Sequence, residues 1–188
     1  MTTLSHLVCH DSIFVKRSGL MESKYMITGS KGDVLFCFQK NGKISGRGRQ
    51  LMLLDMDQNP ILMLQITELS PLYSLGVGSA VMTVHLLPGG SHLAQVVMVP
   101  GVWNDDYQVR DAAGSRLMTF VRKDRLISFC YKFKNPAGVP IGKVSSLESW
   151  SCSRVKVDFH PGLDNQSRVM IMAAAFLVLK VESQAGRI

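Results

Sequence analysis

Residues 169–179 read VMIMAAAFLVL, an unbroken apolar run between Arg168 and Lys180. Its Ala and Met content favours helix over strand, because these side chains lose little freedom in a helix. A helix without a polar face must be covered on every side. At 1.5 Å per residue the run spans about 16 Å, short of the roughly 30 Å hydrocarbon core of a bilayer. The run therefore predicts a helix enclosed by other elements of the same chain. Asp164 or Asn165, following the turn residues His160-Pro161-Gly162, is placed to cap it. The competing reading is a membrane-inserted helix with Arg168 and Lys180 snorkelling at its ends.

What would enclose the helix is written upstream as a repeat. Two-residue alternation, a turn rich in Gly, Asn, Asp and Pro, and a second alternation recur, and each unit reads as a β-hairpin. The hairpins pair residues 25–28 with 34–38, 50–54 with 61–66, 81–87 with 93–99, 107–110 with 116–122, and 127–134 with 139–145. Residues 155–159 alternate as one more strand. Consecutive hairpins argue for an antiparallel sheet, closed or sandwiched. The expected fold is mainly β, with the C-terminal helix enclosed by the sheet. Residues 1–11 are expected to form a flexible tail and residues 12–188 a single domain.

Composition agrees with this and removes other classes. The chain has 188 residues, 46% hydrophobic and 19% charged, so low-hydrophobicity disorder is excluded as the main state. Cys9, Cys37, Cys130 and Cys152 have no paired spacing, which excludes a disulfide-dense scaffold. The first eleven residues lack a basic n-region and an apolar h-region, so an intracellular location is expected. Net charge is +7, which points to an anionic partner. The charge is segregated. Residues 16–49 hold Lys16, Arg17, Lys24, Lys31, Lys40, Lys43, Arg47 and Arg49 against Glu22 and Asp33. Residues 50–109 contain no Lys or Arg, and residues 110–143 again hold eight cations against two acids.

The most informative polar segment is Lys40-Asn41-Gly42-Lys43-Ile44-Ser45-Gly46-Arg47-Gly48-Arg49. Its glycines let backbone N–H groups approach an anion, and its cations supply neutralising charge and forked donors. It matches neither a Walker A loop nor a dinucleotide fingerprint. Lys40, Lys43, Arg47 and Arg49 are thus candidate headgroup ligands, with a solvated hairpin connection as the bland alternative. Arg122, Lys123 and Arg125 form a second basic group between two predicted strands. The same cations would serve nucleic acid, but aromatics are only 7% and Tyr25, Phe36 and Phe38 read as core residues, so lipid ranks above nucleic acid. No Gly-x-Ser-x-Gly elbow or paired catalytic carboxylates occur, and the chain is not expected to be an enzyme.

The sequence resembles the phospholipid scramblase family, within the tubby-like and LURP-one-related superfamily, and the resemblance implies a mainly β fold, a tubby-like antiparallel β-barrel of roughly twelve strands enclosing the hydrophobic C-terminal helix. The resemblance rests on Lys24-Tyr25-Met26-Ile27 with its Gly turn, Met52-Leu53-Leu54-Asp55 through Ile61-Leu62, and Tyr107-Gln108-Val109-Arg110-Asp111. It continues through Tyr131-Lys132-Phe133-Lys134, Gly142-Lys143-Val144-Ser145 and residues 168–179. It implies binding of anionic phospholipid headgroups, phosphoinositides among them, at the cytoplasmic face of a membrane, with a link to transbilayer phospholipid movement. The alternative it implies is a protein-interaction or nuclear, transcription-linked adaptor on the same scaffold. The family's palmitoylated cysteine cluster has no counterpart here. Its acidic calcium segment corresponds to residues 151–164, where Asp158 and Asp164 are the carboxylates. Calcium takes about six to eight oxygen ligands, so Asp158 and Asp164 with nearby serines would form a weak calcium site at best.

Overall fold

The computed structural model describes residues 9–18, 24–40, 48–68, 80–99, 106–123, 129–147 and 154–185. Strands β1 (Ser12–Ser18), β2 (Lys24–Gly29), β3 (Val34–Lys40), β4 (Gly48–Leu54), β5 (Pro60–Glu68) and β6 (Ala80–Leu86) come first. Strands β7 (Ser91–Val99), β8 (Asp106–Arg110), β9 (Arg116–Lys123), β10 (Cys130–Lys134), β11 (Pro140–Ser146) and β12 (Arg154–Phe159) follow, then helix α1 (Asn165–Ala185). Each strand pairs antiparallel with its chain neighbour, and β1 pairs with β12 from Ser12↔Asp158 to Lys16↔Arg154, so the twelve strands close into a barrel.

The interior is built by alternation. Ile13 and Val15 on β1, Phe36 and Phe38 on β3, Met118 and Phe120 on β9, and Val155 and Val157 on β12 are all buried, and their chain neighbours are more exposed. About eight strands make a barrel that side chains alone can fill, so twelve leave a wider lumen. Here α1 fills it. Every residue from Val169 to Leu179 is buried, on all faces of the helix. Phe176 sits edge-on to Tyr25 at 4.7 Å between ring centres and 4.6 Å from Phe38, and Ala173, Ala174 and Ala175 are fully enclosed. No described helix is long and apolar enough to cross a membrane. The enclosed reading of the apolar run is the one the structure shows.

The two barrel ends differ. One end holds the tight turns, and four of them share a hydrogen-bond pattern. In Gly29–Asp33, Asp55–Asn59, Asp111–Ser115 and Asn135–Val139, the first N–H donates to the fifth carbonyl and the fourth N–H to the first. The Asx side chain at the first position of the last three also accepts from the fifth N–H, at 2.7, 2.8 and 2.9 Å. The fourth residue has positive φ: Gly32, Gly114 and Gly138 adopt it readily, and Gln58 adopts it at 64°. Such three-residue loops carry a bulge, and the register shifts beside each of these turns, as between Ile27 and Thr28 and between Phe133 and Lys134. The other end collects the strand ends Ser18, Lys24, Lys40, Gly48, Glu68, Ala80, Val99, Asp106, Lys123, Cys130, Ser146 and Arg154.

Helix α1 enters from the tight-turn end. Asp164 is its N-cap, accepting from the Ser167 N–H at 2.8 Å and the Ser167 hydroxyl at 2.7 Å. Arg168, 3% exposed, lies against the ring of Phe159 and donates to the carbonyls of His10 and Leu163. The Phe159 N–H donates to the Asp11 carbonyl. His10 and Asp11, which the sequence reading assigned to the tail, are thereby tied to the barrel.

Candidate anion-binding surface

The residues singled out in sequence distribute as follows. Lys43, Arg47 and Arg125 lie outside the described residues. Lys40 ends β3 and is exposed, Lys123 ends β9 and is exposed, and Arg49 pairs with Ile66 near the start of β4. Arg122 continues the inward row of Met118 and Phe120, with its guanidinium carbon 5.9 Å from the centre of the Tyr131 ring. Lys40, Arg49, Arg122 and Lys123, the described members of the two groups, therefore belong to the end opposite the tight turns. The strand pairs that carry them, β3–β4 and β9–β10, stand half a circuit apart in the twelve-strand order.

A denser positive surface is assembled elsewhere, on the outer face of the four adjacent strands β10, β11, β12 and β1. Alternation turns Tyr131, Phe133, Val144, Val155, Val157, Ile13 and Val15 into the core. The same alternation puts Lys132, Lys143, Arg154, Lys156 and Lys16 on the outside. Register then sets like charges face to face. Lys132 pairs with Lys143, and Lys16 pairs with Arg154. Opposed like charges in a non-covalent pair across strands are destabilising, so the fold tolerates a local cost at two places on one face.

Asp158 is the carboxylate of this face, and it is already engaged. Its oxygens lie 2.8 Å from Lys156 Nζ and 3.4 Å from Lys143 Nζ. Arg154 is steadied by the Phe14 ring, 4.7 Å from its guanidinium carbon. Among the described residues these five cations, with Lys134 on the same row of β10, face one shared carboxylate and leave a strongly positive, partly preorganised surface. The opposite side of the barrel, β5 to β7, contains no Lys or Arg at all. The segregation read along the chain is thus a segregation between two sides of the barrel. Lys16 of the first basic block and Lys132 and Lys143 of the second are joined through β12, whose Arg154 and Lys156 belong to neither.

Both calcium candidates have structural partners. Asp158 is bridged by two lysines and Asp164 caps α1. The hydrogen bonds from Ser167 hold the Asp164 carboxyl below the usual carboxylate range, against a smaller opposing effect of burial. Among the described residues, no three His, Cys, Asp or Glu side chains are grouped to hold a metal ion.

No family model matches the chain, and no curated protein matches it in sequence. A similar solved structure is the X-ray structure of a protein from Arabidopsis thaliana, with a TM-score of 0.52 over 89% of this chain and 90% of that one, at 12% identity. At that identity the likeness is one of fold.

Proposed function

We propose that this barrel binds anionic phospholipid headgroups through the outer face of β10, β11, β12 and β1. The carrying observation is the double like-charge opposition, Lys132 against Lys143 and Lys16 against Arg154, around a single carboxylate. An anion between the opposed cations relieves their repulsion, so binding energy comes from a cost the fold already bears. Lys156 and Lys143 supply point charges and Arg154 a planar fork for phosphate. Lys123, Lys40 and Arg122 extend the positive field toward the adjoining barrel end. Phosphatidylserine and phosphoinositides have the required chemistry, and the site of action would be the cytoplasmic face of a membrane. The scramblase-family resemblance adds transbilayer phospholipid movement, with headgroup capture at this face as its first step.

The test is co-sedimentation of the full chain with vesicles. Neutral phosphatidylcholine vesicles should leave it in solution, and vesicles containing phosphatidylserine or a phosphoinositide should carry it down at low salt and release it at high salt. Binding should not require calcium, since Asp158 and Asp164 are occupied by protein partners. Failure to bind anionic vesicles at low salt would overturn the proposal and leave the protein-interaction adaptor as the better account.

A further inference from the structure

The side of the barrel without Lys or Arg carries a different chemistry. Register aligns Met63 with His85 and His85 with His92 on its strands, β5 to β7, and sets Met52 of the adjoining β4 opposite Met63. All four are half-buried. They occupy outward positions, alternating with Leu51, Leu53, Leu62, Leu64 and Val84, which are buried in the core. The register shift between Val84 and His85 is what brings His92, rather than Leu93, opposite His85. Directly opposed residues have Cβ atoms about 4.5–5.5 Å apart, so His85 lies within side-chain reach of both Met63 and His92, which flank it on the neighbouring strands.

The two imidazoles are arranged as ligands are. Their ring centres are 5.7 Å apart. With metal–nitrogen bonds of about 2 Å, two imidazoles sharing one ion have ring centres roughly 5–6 Å apart. Nδ1 of His85 lies 3.2 Å from the Gly90 carbonyl oxygen. A carbonyl only accepts, so in the neutral imidazole this contact puts the proton on Nδ1 and the lone pair on Nε2. Ligating histidines are held in this way by their second nitrogen. Nε2 of His92 is shielded from solvent and has no hydrogen-bond partner among the described residues, and an unpaired buried nitrogen costs free energy that a metal bond would recover.

We infer that Met63, His85 and His92, with Met52 beside them, form a binding site for a soft monovalent cation of the copper(I) class. The third donor decides the class. Thioether sulfur is a soft ligand that selects copper(I), whereas calcium and magnesium take oxygen. The absence of Lys and Arg from residues 50–109 also removes cationic repulsion from this part of the chain. The site is independent of the headgroup surface, which lies on the other side of the barrel.

Silver(I), a diamagnetic ion of the same class, tests this by NMR on the full chain. One equivalent is expected to shift the Met63 methyl and the His85 and His92 ring resonances together. In competition with a copper(I) chelator, the double variant His85→Gln/His92→Gln should bind copper(I) at least roughly tenfold more weakly, and Met63→Leu should also weaken it. Amide spectra of the variants report that the barrel is retained. Silver shifts confined to residues around Cys9, Cys37 and Cys130, or unchanged Met63, His85 and His92 resonances at saturation, would overturn the site. So would equal copper(I) affinity in the double variant.

Discussion

Arg168 Nη1 donates to the carbonyl oxygen of His10 over 2.6 Å, joining the first turn of α1 to the segment that leads into β1. Nε donates to the Leu163 carbonyl at 3.2 Å, and the guanidinium carbon lies 5.0 Å from the centre of the Phe159 ring. One buried side chain thus ties the start of the enclosed helix to β12 and to the segment that leads into β1. Arg168→Met removes the donors and leaves two carbonyls short of partners. It should cost about 2–4 kcal/mol, measured as a lower urea midpoint. Arg168→Lys should recover only part, because an ammonium lacks the planar fork and the stacking face.

Phe176 fills the lumen between Tyr25 and Phe38. Phe176→Ala should cost about 3–5 kcal/mol, the transfer loss plus a cavity that a closed sheet cannot collapse into. Phe176→Leu should cost less. Chemical denaturation of the two variants measures the difference.

Asp164 makes helix capping dependent on pH. Its folded pKa is depressed by the Ser167 hydrogen bonds. Its contribution is therefore complete above the unfolded value of about 3.9 and is lost as pH falls through the lower folded value. Asp164→Ala should cost about 1 kcal/mol at neutral pH. Asp164→Asn should keep most of the cap and remove this part of the acid dependence, which thermal melts between pH 2 and pH 7 would show.

Two glycines separate backbone conformation from steric fit. Gly138 has φ of 81° and open space where a Cβ would stand, so Gly138→Ala should cost only the left-handed penalty, about 1–2 kcal/mol. A Cβ on Gly142 would meet the Asp158 carbonyl oxygen at 2.6 Å and Phe133 at 3.1 Å. Gly142→Ala must push β11 from β12 and should destabilise by clearly more. Thermal melts of the two variants check the order.

Which parts of this were legible in sequence follows from the range of the interactions. The hairpins were, because Asp111-Ala112-Ala113-Gly114 and Asn135-Pro136-Ala137-Gly138 carry their turn chemistry locally. The enclosed helix was, because a run without a polar face has few places to go. Strand β1 was not singled out: adjacent Lys16 and Arg17 interrupt its alternation, and its partner β12 lies far along the chain. The site was least legible. Sequence displays neighbours in a loop, such as residues 40–49, while the opposition of Lys132 to Lys143 depends on a register with a bulge at Phe133 and Lys134. That of Lys16 to Arg154 depends on barrel closure. The spacing of Arg154, Lys156 and Asp158, each separated by a core valine, was the available signal for a charged strand face.

The opposed cations give the account its most direct test, because binding and stability should move in opposite directions. In the double variant Lys16→Glu/Lys132→Glu, each like-charge pair becomes an attractive one, a change of about 0.2–1 kcal/mol per pair toward stability. The measurement is binding to phosphatidylserine vesicles alongside the urea midpoint, with Lys31→Glu, in the Gly29–Asp33 turn at the tight-turn end, as the control. The double variant should lose vesicle binding while its midpoint holds or rises, and the control should bind as the parent does. Undiminished vesicle binding by the stable double variant would contradict it.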